Sequence, residues 1–218
     1  MKCRLQDGLF NAADARCVIE RLVPFFAGAP HARWTPAGYR KRLARLVDAT
    51  ASELVRPEFG LDQPLVDGIA AGLREGIKSH AGLLDARVHD GRIVEGHGDL
   101  RPEHIYLTRP PTIIDCIEFD RTLRLRDPID ELSFLVMECE RLGEPASDRW
   151  LFDAYRELSD DDPPRSLIEF HKAQNAFVRA KVAIWHLDDP DTGARGPWVA
   201  RATNYLQIAL CVLARISG

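Results

Sequence analysis

The sequence predicts a mainly α-helical protein with a small central β patch, an α+β arrangement carried by residues 1–218 as a single domain. Three observations lead there. Apolar residues recur at helical spacing through residues 1–87 and again through 127–218. Between them, from 88 to 126, the texture changes to short alternating runs broken by Gly and Pro. The 45% hydrophobic content over 218 residues is enough for a real core.

Each element has a local reason. Asn11 is a capping side chain for a helix over 12–27, with Cys17, Val18, Leu22 and Phe25 or Phe26 on one face and Gly28-Ala29-Pro30 as a stop. Thr35-Pro36 starts a second helix, a capping hydroxyl followed by proline at the first helical position, carrying Tyr39, Leu43, Leu46, Val47 and Leu54. A third runs from about 64 to 86 through Leu65, Ile69, Leu73, Ile77 and Leu84. The segment 87–94 reads as a hairpin, because Asp90-Gly91 lies between short alternating runs. Strands are expected at 105–107 and 112–114, on either side of Arg109-Pro110-Pro111. Asp127-Pro128-Ile129-Asp130 then opens a helix with a capping carboxylate, a first-turn proline and an acidic residue, ending at Gly143. Further helices are expected at 147–158, 164–187 and 196–216.

Composition excludes several classes. A net charge of −4 and a pI near 6.0 argue against a nucleic-acid binder. The five cysteines are scattered and form no CxxC, which fits neither a disulfide framework nor a zinc ribbon and points to a reducing cytoplasm. His80, His89, His171 and His186 form no HxxxH or HExxH pair. The N-terminus lacks the apolar core of a signal peptide, and the longest apolar stretch, 206–216, is too short to span a bilayer. A cytoplasmic protein without membrane contact is the expectation.

The chemistry concentrates in 95–135. Asp99 follows a glycine and precedes a strand, so it is expected on a tight loop with a free carboxylate, able to take a proton from a hydroxyl or orient it. Asp115 ends the apolar run Thr112-Ile113-Ile114, where burial makes a carboxylate costly unless it is paired or bound to metal. His104, five residues after Asp99, comes to the same end as Asp115 if the two strands pair. An Asp with a nearby second ligand is how phosphoryl-transfer sites hold Mg²⁺. Arg101 reads equally as a contact to a phosphate or acidic substrate and as a partner of Glu103. Glu118 and Asp120 read as loop ion pairs with Arg121, Arg124 or Arg126, with a metal as their alternative. Asp127 and Asp130 read as helix caps.

These residues resemble a family. HGDLRPEHIYL, then IIDCIEFD, then RDPIDEL is similar to the aminoglycoside phosphotransferase and choline kinase-like enzymes of protein-kinase-like fold, whose pattern is H-G-D-x-x-x-x-N, an apolar strand ending in I-D, and G-D-P-x-x-D. A bacterial subgroup carrying HGDLRPEH, D-C-x-E-F and E-C-E-R-L-G is the nearest likeness, the last of these at Glu138 to Gly143. The resemblance implies a C-terminal kinase-like lobe, with Asp99 as catalytic base and Asp115 as a ligand of Mg²⁺ that bridges ATP phosphates. It also implies that His97 braces the catalytic loop and that Asp130 accepts that loop's backbone N–H groups. As cap and loop ion pair, Asp127 and Glu118 are expected to support the site structurally.

Two departures qualify it. His104 stands where the family has asparagine; as a second metal ligand it would shift the site from Mg²⁺ toward Mn²⁺. No Gly-rich loop or strand lysine precedes the motif, and none of Lys2, Lys41, Lys78, Lys172 and Lys181 suits that role. The expectation is an ATP-dependent phosphotransferase of a small hydroxyl-bearing molecule that is truncated or inactive alone, the missing lobe coming from a separate chain or a second copy. Two alternatives stand beside it. One is a non-catalytic lobe serving as a binding module; the other is a metal-assisted hydrolase built on His97, Asp99, His104 and Asp115. The acceptor is not specified, and only Asp160-Asp161-Asp162 and Asp188-Asp189 hint at an acidic patch for a polycation.

Overall fold

A computed structural model describes residues 1–189 and 193–217. The helices are α1 (Lys2–Gln6), α2 (Ala12–Gly28), α3 (Pro36–Leu54), α4 (Gln63–Ser79) and α5 (Ala81–His89). After the β region come α6 (Arg121–Arg124), α7 (Pro128–Arg141), α8 (Ser147–Leu158), α9 (Arg165–Trp185) and α10 (Arg195–Ser217). Four two-residue strands, β1 (Val94–Glu95), β2 (Ile105–Tyr106), β3 (Thr112–Ile113) and β4 (Leu125–Arg126), make two antiparallel pairs, β1 with β4 and β2 with β3. The mainly helical reading with a central β patch therefore holds.

Capping chemistry sets several starts. Asn11 accepts from the Ala13 and Asp14 amides and Thr35 from that of Gly38, while Asp127 accepts from Ile129. Two expectations fail in instructive ways. The helix expected over 64–86 breaks at His80, whose ring nitrogen Nδ1 lies 2.8 Å from the Gly76 carbonyl, and the Ser79 hydroxyl donates to the same carbonyl at 3.2 Å. The hairpin at 87–94 is absent. Helix α5 runs on to His89, and Gly91, at φ +67°, is the left-handed residue that ends the helical path. Asp-Gly here is a helix stop.

The chain divides into two compact units. The first, Met1–Arg33 with His89–Pro164, packs α2 on α8 and α8 on α7. Its core includes Val18, Ile19, Leu22 and Phe26 of α2 with Leu151, Phe152 and Tyr155 of α8, each a residue whose burial contributes about 1.5–3 kcal/mol. The second, Trp34–Val88 with Arg165–Gly218, is a helical cluster of α3, α4, α9 and α10, with α9 and α10 packed along most of their length. Tyr39, Leu43 and Val47, then Val66, Ile69 and Leu73, then Phe170 and Phe177, then Tyr205 and Ala209 fill its interior. Helix α7 is buried at every residue from Pro128 to Cys139, which gives the loops held at its N-terminus a fixed support.

Candidate active site

Helix α7 begins with two acids that divide the work. Asp127, fully buried, caps the helix. Asp130, expected to accept the loop's backbone N–H groups, reaches the loop through an arginine. It forms a two-point ion pair with Arg126, at 2.8 and 3.1 Å, and Arg126 in turn donates to the Gly98 carbonyl at 3.1 Å. The residue that grips the loop is Glu131: its Oε2 accepts from the His97 amide at 3.0 Å and its Oε1 from the Gly98 amide at 2.5 Å. Burial pushes the Glu131 carboxyl up from its ordinary value, while Arg126 and the two amides pull the other way. Counted strictly, D-P-x-x-D from Asp127 reaches residue 131, so the pattern's own spacing held this signal.

The glycines around His97 have physical reasons. A side chain at Gly96 would stand 2.7 Å from the Glu131 carboxylate, and Gly98 has φ +85° with Ile117 at 3.1 Å from where a Cβ would lie. His97 spans the gap between loops: its Nε2 is 2.8 Å from the Ile114 carbonyl and its Nδ1 accepts from the Asp99 amide at 3.3 Å. The two bonds fix its tautomer, with the proton on Nε2. It braces the loop, as expected.

Asp99 is not free. Arg101 donates to its Oδ2 through Nε at 2.9 Å, and its Nη2 lies 2.8 Å from the same oxygen, so Arg101 forms an ion pair with Asp99. Glu103 instead lies 3.3 Å from Lys2. His104 closes a 3₁₀ turn, Pro102–His104, just before β2. Its Nδ1 is 2.9 Å from the Asp99 carbonyl, and its Nε2 is 3.0 Å from Arg101 Nη2 and 3.1 Å from Asp115 Oδ2. The pairing of Ile105 with Ile113 and the Ile114 amide's bond to the His104 carbonyl, 3.0 Å, bring 104 and 115 together as the strand reading expected. Asp115 itself departs from expectation: its side chain is 71% exposed, and its backbone sits at φ +65°, the left-handed region that only Asn and Asp enter readily among side-chain-bearing residues. Such strain is characteristic of functional positions.

Around this centre the structure adds Glu95, which the sequence reading did not assign. Glu95 accepts from Arg121 at 2.6 Å and Arg124 at 2.5 Å; hydrogen bonds from Arg124 first, then Arg121, hold its carboxyl below the usual range. Asp120 accepts from the Thr122 amide and hydroxyl, a cap for α6, while Arg121 and Arg124 reach Glu95 and Arg126 reaches Asp130. Glu118 is exposed and lines a cavity of about 890 Å³ with Arg21, Phe25, His97, Ile114, Asp115 and Cys116. Among the described residues no set of three or more His, Cys, Asp or Glu side chains is placed to hold a metal ion.

The likeness to known proteins is partial. Uncharacterized proteins of Mycobacterium bovis and of two strains of Mycobacterium tuberculosis are each 36% identical to the chain over 140 residues, 62% of this chain and 28% of theirs. The chain thus spans under a third of the length of these relatives. No family model matches it, and no solved structure does. Among the described residues no helix is long and apolar enough to cross a membrane.

Proposed function

We propose that this chain carries the catalytic-loop and metal-loop half of an ATP-dependent phosphotransferase site, acting on a small hydroxyl-bearing molecule, with the nucleotide's Gly-rich cradle supplied by residues outside these 218. The observation that carries the reading is the convergence of Asp99, Arg101, His104 and Asp115 on one loop face that Glu131 and His97 hold from behind. A phosphoryl transfer needs a carboxylate near the acceptor hydroxyl, a cation-binding carboxylate and rigid positioning more than covalent chemistry.

The donors fit a divalent ion. Two ligand atoms at right angles around an ion about 2.1 Å away lie about 3.0 Å apart, and His104 Nε2 and Asp115 Oδ2 are 3.1 Å apart. A bound ion there supplies neutralisation of phosphate charge. Asp99 orients the acceptor hydroxyl and receives its proton at the carboxylate. Arg101, now on Asp99, can turn its guanidinium to a phosphate oxygen, which frees the carboxylate for that proton.

A second reading, a non-catalytic module that binds ligand in the same place, is favoured by the Arg101–Asp99 pair, which occupies the would-be base. Calorimetry separates both readings from no site at all. ATP titrated with Mg²⁺ or Mn²⁺ is expected to give metal-dependent heat that Asp115→Asn, which tolerates the left-handed backbone, removes. Heat without turnover of any hydroxyl acceptor favours the module; no heat at millimolar ATP rejects both.

A further inference from the structure

The departure of this chain from the asparagine pattern is structured, and its consequence rests on the nucleotide-and-metal reading above. The Asp99 carbonyl can only accept, so the 2.9 Å contact puts the proton of the His104 ring on Nδ1. Arg101 Nη2 can only donate, so the 3.0 Å contact requires a lone pair on Nε2. That lone pair then faces the anionic Asp115 Oδ2 at 3.1 Å. A doubly protonated ring would satisfy Asp115 but would set an Nε2–H against the Arg101 N–H. Two lone pairs are therefore aimed at one place, with a guanidinium as the positive group beside them. The backbone carbonyl that fixes the tautomer is the usual outer-shell partner of a metal-bound histidine.

We propose that His104 Nε2 and Asp115 Oδ2 are the two protein arms of a divalent-cation site that prefers a borderline transition ion, such as cobalt(II), nickel(II) or zinc(II), over magnesium, and that Arg101 takes the imidazole nitrogen when no ion is there. Magnesium demands oxygen ligands in an octahedron, whereas an imidazole nitrogen favours the later ions of the first transition row. Among the described residues no third His, Cys, Asp or Glu is placed to join them, so the remaining positions are assigned to phosphate and water oxygens and a polyphosphate strengthens binding. Displaced from Nε2, Arg101 is at hand for that polyphosphate.

The test uses the whole chain with manganese(II) or cobalt(II) and inorganic tripolyphosphate, a probe with no nitrogen of its own. Pulsed electron paramagnetic resonance of the manganese complex is expected to show coupling to an imidazole nitrogen. Cobalt is expected to bind roughly tenfold or more tighter than magnesium, a preference that shrinks in His104→Asn. Bound ion with oxygen coordination only, and equal affinity for magnesium and cobalt, overturns the proposal and leaves the nucleotide reading standing. Nitrogen coupling from manganese alone, with no binding of ATP under any condition, keeps the metal site and removes the nucleotide reading. No ion bound at millimolar concentration ends both. Should His104→Asn fail to fold, the wild-type nitrogen signal decides.

Discussion

Glu131 shows how one side chain can set the shape of a loop. Its two oxygens take the His97 and Gly98 amides, and no water competes in a fully buried position. Glu131→Gln offers an amide NH₂ toward one of those N–H groups, leaving a buried donor without an acceptor; a loss of about 1–3 kcal/mol follows, read as a lower urea midpoint. Gly98→Ala meets both a positive φ and Ile117, and is expected to cost on the order of 1–3 kcal/mol by the same measurement. Glu95 gives a pH signature instead. Its carboxyl is held low by Arg124 and Arg121, so its contribution is present above the ordinary carboxylate range and is lost as pH falls through the depressed value. The melting-temperature gap between wild type and Glu95→Gln should stay constant from pH 7 to roughly pH 5 and close below about pH 4.

At the scale of elements, helix α4 offers an internal comparison. Gly68 is exposed with open space around it, whereas a Cβ at Gly76 would stand 2.8 Å from the Phe170 ring. Alanine in a helix is worth up to about 1 kcal/mol over glycine. Gly68→Ala should therefore raise the thermal midpoint, while Gly76→Ala should lower it or leave it unchanged; the same sign at both would show that propensity outweighs packing there. The caps that start these helices were legible because Asn11, Thr35 and Asp127 act on amides two or three residues away. The break at His80 was not legible, since apolar period continues through it and the side-chain contact to the Gly76 carbonyl leaves no mark in that period. The Asp90-Gly91 pair carried a turn signal that two structures share, a hairpin and a helix end, and only the length of α5 separates them.

For the molecule as a whole, the candidate site was readable as a set of residues and only partly as a set of partners. His97, Asp99, His104 and Asp115 come together because strand pairing and one short turn are local in sequence. Arg101 and Arg126, two and four residues from Asp99 and Asp130, pair with those carboxylates, and sequence does not rank such neighbours. Glu131 was passed over for its neighbour. The two compact units are each discontinuous in sequence, which gives a direct expectation. Removing residues 165–218 takes α9 and α10 from the stripe Val66, Ile69, Leu73 and Ile77 of α4, all buried. The shortened chain is expected to bind a hydrophobic dye and aggregate, whereas a clear, dye-silent, monomeric product would mean that α3 and α4 bury each other unaided.

The interleaving of those units also has a consequence in time. On the ribosome, the helices of the first unit are all available once Pro164 has emerged, while α3 and α4 wait for α9 and α10. At about 5–20 residues per second, the intervening stretch takes on the order of 3–10 s to synthesise. For that interval the loop bearing Asp99 can already be formed while the stretch Trp34–Val88 still exposes an apolar helix pair, the window in which a chaperone would find it.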